Sequence, residues 1–117
     1  FTVRESLALL ADWEDVWSQR VRRTVEEDSP QLPDADEDQM AIDHDYRSAD
    51  PEESLRTYKQ SRAELVRYIR ALPDSAWSRK CHREGVGEMT LFDLAVNILG
   101  HDGYHFQHTL ESLKART

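Results

Sequence analysis

Cysteine is almost missing from this 117-residue sequence. Cys81 stands alone, so no disulfide can close within the chain, nothing marks an oxidising compartment, and the thiol reads as an ordinary one. Long apolar runs are missing too. The longest, such as Ser6 to Ala11, fall far short of the ~20 residues a bilayer span needs, and no charged-then-apolar leader opens the chain. Basic residues are scarce beside acidic ones: 15 Lys and Arg against 23 Asp and Glu give a net charge of −8. That is the wrong sign for gripping a phosphate backbone, and it argues against a helix-turn-helix DNA reader. The expectation left standing is a soluble, cytoplasmic, single-domain protein over residues 1–117, with one modest core and neither nucleic acid nor membrane as partner.

What is present is mostly helical pattern. Thr2-Val3-Arg4-Glu5 reads as a capping box, in which a hydroxyl and a carboxylate satisfy backbone N–H groups left free at a helix start. A helix is predicted from Val3 to about Glu26, with Val3, Leu7, Leu10, Trp17 and Val21 recurring at steps of three and four, and Ser6 and Trp13 beside them. Glu14 falls inside that stripe, and reads either as a carboxylate reaching water past its stem at the rim or as a functional group. From Asp28 to Asp50 the periodicity stops. Eight acids face one base there, with Pro30 and Pro33, which predicts a long acidic loop. Asp34, Asp36 and Asp38 imitate the start of a calcium loop, but Gln39 stands where the sharp turn needs Gly and Asp45 where a bidentate Glu belongs. Loops of this length are often functional, so His44 and Tyr46 are candidates to lie over a pocket.

Asp50-Pro51-Glu52-Glu53 restarts a helix with its cap, an N1 proline and acids at the positive end of the dipole. Leu55, Tyr58, Arg62, Leu65, Ile69 and Leu72 then form a seam running to Pro73. One further turn at Asp74 to Trp77 and a connector from Lys80 to Met89 follow, and the sequence leaves open whether Val86 to Met89 pairs as a strand. Thr90, with Asp93 three residues on, caps a third helix reaching about Lys114. The predicted fold class is therefore all-α: an antiparallel helical bundle of three long helices with the acidic loop between the first and second.

On the third helix His101 and His105 share the arc of Leu91, Leu94, Ala95, Ile98 and Thr109, so two imidazoles four residues apart stand one above the other on an inward face. That spacing suits one divalent ion. His108 lies near the same arc but ~10.5 Å of rise from His101, so His105 with His108 is the rival pair. Two core histidines satisfied by neighbours remain the alternative, yet polar rings on an apolar face need partners. Asn97 offers an amide oxygen one turn before His101, Asp102 offers a carboxylate to orient an imidazole, and His44 offers a ring from the loop. Gly100 and Gly103 bracket the pair at a cost of ~1 kcal/mol each relative to Ala. Close approach of a backbone or ligand, or a local kink, would account for them.

Thr90-Leu91-Phe92-Asp93-Leu94-Ala95 followed by Gly100-His101-Asp102-Gly103-Tyr104-His105 resembles the closing helix of the DinB/YfiT-like metalloenzyme superfamily, where His-Asp-x-x-His supplies two metal ligands. Val3 to Asp12 is similar to that family's second helix, Asp45-Tyr46 and Asp50-Pro51 to its long loop, and Leu72-Pro73-Asp74-Ser75-Ala76-Trp77 to its approach to the last helix. The resemblance implies a DinB-like four-helix bundle, often a dimer, with a three-histidine site for nickel, zinc or iron. It further implies that the metal activates a thiol or water, as in a transferase or hydrolase acting on a small molecule or thiol substrate. Two departures follow from the same alignment. Leu9 stands where the family's first histidine ligand belongs, and the family's first helix has no counterpart, so another chain or segment is expected to cover the fourth side of the core. On this reading His101 and His105 are metal ligands, Asn97, Asp102, His108, His44 and Glu14 are candidates for a further ligand or supporting group, and the catalytic residues are unassigned. The alternative is a diverged, inactive bundle that dimerises or binds a ligand or partner.

Overall fold

The computed structural model describes residues 1–115. Helix α1 runs over Val3–Glu26, and its start is fixed as the capping box requires: the Thr2 hydroxyl accepts from the Glu5 N–H at 3.2 Å and the Glu5 carboxylate accepts from the Thr2 N–H at 3.1 Å. α3 spans Pro51–Arg70 behind its Asp50 cap, and α4 spans Leu91–Lys114 behind the Thr90–Asp93 box. These three long helices follow from apolar periodicity plus caps.

The all-α expectation is corrected by a small three-stranded sheet. β1 (Gln31–Leu32) pairs in parallel with β2 (Lys80–Arg83), which pairs antiparallel with β3 (Gly87–Thr90). Gly85 and Gly87 take φ values of +78° and +108°, a region that side-chain-bearing residues avoid, and so turn the hairpin tightly. The segment read as a long acidic loop is also structured. After β1 it forms helix α2 (Glu37–Asp43), then a 3-10 turn at Tyr46–Ser48. The acid run conceals a helix start, because Asp36 is the cap, accepting from Asp38 and Gln39 N–H, and Glu37 and Asp38 face the positive end of the dipole.

The antiparallel expectation also fails for one pair. Arg4 bonds the Ala49 carbonyl, Glu14 bonds Arg62 and Glu26 bonds Tyr68, so contacts advance in the same order along α1 and α3, and these two helices run parallel. The crossover of residues 27–50 makes this possible by carrying the chain back along the bundle. α4 runs the other way: its first residue bonds Arg79, which holds the carbonyls of Thr24 and Glu27 at the end of α1.

α1 lies between α3 and α4, which widens its buried face from the predicted stripe to Leu9, Leu10, Trp13, Glu14, Trp17, Arg20, Val21 and Thr24. Leu9, Leu91 and Leu94 are fully buried, and burial of each such side chain contributes about 1.5–3 kcal/mol. α4 has a second apolar face. Phe92, Val96, Leu99, Phe106, Leu110 and Leu113 lie within about 60° of one another's stripe axis at 100° per residue, and are 46% to 68% exposed. Gly103 sits in that stripe, and nothing among the described residues comes within 4 Å of a Cβ built there or at Gly100. The close packing that these glycines suggested is not made among the described residues.

Candidate metal centre

α4 carries His101 and His105 on the face turned toward α1 and α2. Their rings are 4.5 Å apart, and His105 is buried while His101 is nearly so. The third member comes from α2. Glu37 Oε1 lies 2.9 Å from His101 Nε2 and 3.2 Å from His105 Nε2, and one ligand atom from each of the three residues lies within 4.8 Å of the others. Two anchors bring the short helix there. The β1–β2 pairing, with His82 and Glu84 N–H donating to the Pro30 and Leu32 carbonyls, fixes the chain before α2. After it, His44 and Tyr46 both bond Asp12 of α1.

Aromatic rings wall the site. Trp13 and Trp17 lie 4.9 and 5.2 Å from the His101 ring, and Arg20 stacks at 5.4 and 5.2 Å on the same two indoles. Burial pulls the Arg20 guanidinium down to about 10, with nearby Arg83 acting in the same direction. Burial likewise holds His101 below its ordinary value, against the opposing bond to Glu37 and with His105 adding to the fall. A neutral imidazole is what a cation requires of its ligand.

The donor set fits a metal. Both Nε2 atoms aim at one carboxylate oxygen. Bare Nε2 lone pairs facing that oxygen repel it unless a cation lies between them. Protonated Nε2 atoms would instead both donate to that oxygen, and in either tautomer the buried Nδ1 atoms have no hydrogen-bond partner among the described residues.

The other residues singled out from sequence go elsewhere. Glu14 is not at a rim: α3 and α4 flank it, its side chain is 1% exposed, and Arg62 holds it at 2.6 and 3.1 Å. Asp102 bonds the same Arg62 at 2.7 and 3.2 Å rather than orienting an imidazole. Burial pushes the Glu14 carboxyl above its ordinary value, opposed by Arg62. The Asn97 amide oxygen accepts from Arg83, so it is not offered to the histidines. His44 is bound to Asp12 at 2.6 Å, on the far end of the crossover from Glu37. His108 is not in the metal-ligating cluster among the described residues. Glu37 was not foreseen, because an acid within an acidic run carries no periodic signal. The usable clue was Asp36 followed by two acids, a helix N-terminus pattern.

A family model described as the DinB superfamily matches residues 2–109. Among solved structures the chain is similar to YfiT from Bacillus subtilis, described as "a probable metal-dependent hydrolase with an unusual four-helix bundle topology". The identity is 24%, the TM-score 0.89, and the match covers 99% of this chain and 67% of that one. At this identity the likeness shows the fold. No curated protein matches.

Proposed function

The chain belongs to the DinB superfamily, and on that premise we propose that it is a metal-dependent enzyme, of hydrolase or transferase type, in which His101, His105 and Glu37 hold one divalent transition-metal ion. The observation that carries this reading is the convergence of two imidazole nitrogens and a carboxylate oxygen within 4.8 Å at a largely buried point. Nickel, zinc and iron all accept this donor set, and two histidines with one carboxylate recur in both zinc hydrolases and iron sites. Bound there, such an ion supplies Lewis acidity, which makes a water or thiol nucleophilic at neutral pH.

The chain's own residues do the rest. The α4 backbone carries both histidines; Trp13 and Trp17 pack on the His101 ring and exclude water from that side, and the His105 ring packs between His101 and Tyr104. Glu37 arrives on a separate element, so the carboxylate substitutes for the histidine that the family resemblance places at Leu9. A small molecule, a low-molecular-weight thiol among the candidates, is the proposed substrate.

Elemental analysis of protein purified without a polyhistidine tag tests the reading. About one ion per chain is expected in the wild type. Glu37→Gln is expected to lower affinity at least tenfold and His105→Ala to abolish binding. A metal-free wild type that also fails to take up zinc, nickel or iron on titration would refute it.

A further inference from the structure

Arg20 lies on α1 one turn beyond Trp17, and the fold buries its side chain without pairing it. The residue is 3% exposed, and neither Nη1 nor Nη2 has a hydrogen-bond partner among the described residues. The ring faces of Trp13 and Trp17 attract its charge, but the N–H groups of both nitrogens find no acceptor. Burying a charge in this way is costly unless an opposite charge meets it.

Arg83 of β2 shows the same deficit. Its side chain is 11% exposed, Nη1 donates to the Asn97 amide oxygen at 3.1 Å and Nη2 reaches Asp34 at 3.8 Å, yet Nε is buried and unpartnered among the described residues. Asp34 and Arg20 both line a small cavity of about 100 Å³ between α1 and residues 32–35. The two guanidinium groups are close enough that Arg83 adds to the fall in the Arg20 pKa that burial begins. Two like charges therefore stand together below the surface, each with N–H donors left over. The acids nearby do not answer them. Asp34 has a 67% exposed side chain and leaves Arg20 Nη1 and Nη2 unbonded, and Glu27 is taken by Arg23, which also lines the cavity.

Like charges with surplus donors on both are matched by one anion lying between them. The fork of a guanidinium fits the two oxygens of a carboxylate. The cavity is well below the ~300–1,000 Å³ of pockets for drug-sized ligands, so its occupant is small. From this geometry we propose that Arg20 and Arg83 bind the carboxylate of a small organic acid. The carboxylate accepts from Arg20 Nη1 and Nη2 and from Arg83 Nε, and the exposed Asp34 side chain swings outward to admit it. The site shares the Trp13 and Trp17 wall with the metal centre but none of its ligands, so it can be loaded and measured in metal-free protein whether or not the metal reading holds.

Exchange of sodium chloride for sodium acetate at a constant ionic strength of about 0.15 M tests this through tryptophan fluorescence, because Arg20 stacks on Trp13 and Trp17. A saturable change is expected, with half-saturation at about 10 mM or lower. Arg20→Met keeps most of the stem and removes the charge, and is expected to weaken acetate at least about tenfold. Asp34→Asn, an exposed change, removes the competing carboxylate and is expected to tighten acetate about threefold. No saturable change in the wild type would overturn the proposal, as would an undiminished change in folded Arg20→Met protein. Acetate binding that arises only in Asp34→Asn would make Asp34 itself the partner of Arg20 and overturn it equally. Should Arg20→Met fail to fold, Asp34→Asn decides: tighter acetate supports the site, and unchanged or weaker acetate refutes it.

Discussion

Replacing Arg62 by methionine perturbs the interaction that joins all three long helices. In the native protein the guanidinium of α3 makes two hydrogen bonds to Glu14 of α1 and two to Asp102 of α4. Burial alone would pull the Arg62 pKa down, but the bonds to Asp102 and Glu14 outweigh it and hold the pKa above its ordinary value. Methionine preserves most of the stem volume and removes the charge, leaving two carboxylates buried without a counter-ion. Removing one partner of a buried pair costs about 3–5 kcal/mol, a large part of the roughly 5–15 kcal/mol that stabilises a domain.

The loss should depend on pH in a stated direction. Glu14 already has a folded pKa above its ordinary 4.5, mainly from burial, and both opposing influences come from Arg62. Without Arg62 the folded pKa rises further. A carboxyl whose folded pKa exceeds its unfolded value stabilises the fold fully below the unfolded value, and that contribution is lost as pH rises through the folded one. The deficit of Arg62→Met is therefore smallest near pH 4.5 and grows toward neutrality. Urea unfolding followed by the fluorescence of buried Trp13 and Trp17 measures it. Adding Glu14→Gln to Arg62→Met is expected to recover at least about 1 kcal/mol at pH 7, because the neutral amide no longer carries an unpaired buried charge. A cost below about 1 kcal/mol for the single variant, or a cost independent of pH, would refute the reasoning.

Two other substitutions probe other links. Leu9→His places an imidazole one turn before Trp13 on α1, and since α1 and α4 run in opposite directions this moves toward His105. Zinc affinity by competitive titration should rise about tenfold or more, and an unchanged affinity would mean that Leu9 does not face the pair. The exposed α4 stripe is centred on Gly103, which lets two helix backbones approach, so it fits a second copy of the chain across a two-fold axis. On that expectation the wild type is a dimer in light scattering, and Leu99→Glu with Phe106→Glu gives a monomer with unchanged helical circular dichroism and a melting temperature that no longer rises with protein concentration, whereas a wild-type monomer at high concentration would remove that occupant.

The legible parts of the sequence were those governed by local rules. Caps at Thr2, Asp50 and Thr90 and apolar spacing along three helices each constrain neighbours within four residues, and the structure follows them. Long-range pairings left no such trace. β1 is two residues long and pairs in parallel with a strand some fifty positions away, so no alternation announces it. Arg62 read as one polar member of a seam, since nothing local shows that Glu14 and Asp102 lie 48 and 40 residues distant waiting for it. The two histidines were legible because one helix carries both. Their carboxylate partner was not, because Glu37 is 64 residues from His101 and reaches it through tertiary structure alone.

That dependence sets how the site is held. α2 has seven residues, none of them fully buried, and a helix so short is not stable on its own. The position of Glu37 is thus determined by the packing of Met40 and Ala41 against the core and by the anchors at either end of the crossover, the parallel β1–β2 pairing on one side and the Asp12 bonds to His44 and Tyr46 on the other. Asp12→Ala removes both of those last bonds while leaving Glu37, His101 and His105 in the chain. It is expected to weaken zinc binding about tenfold in a competitive titration, because the carboxylate must then be ordered by the ion itself. An unchanged affinity in folded Asp12→Ala protein would show that the sheet and the remaining α1 contacts already hold Glu37 in place unaided.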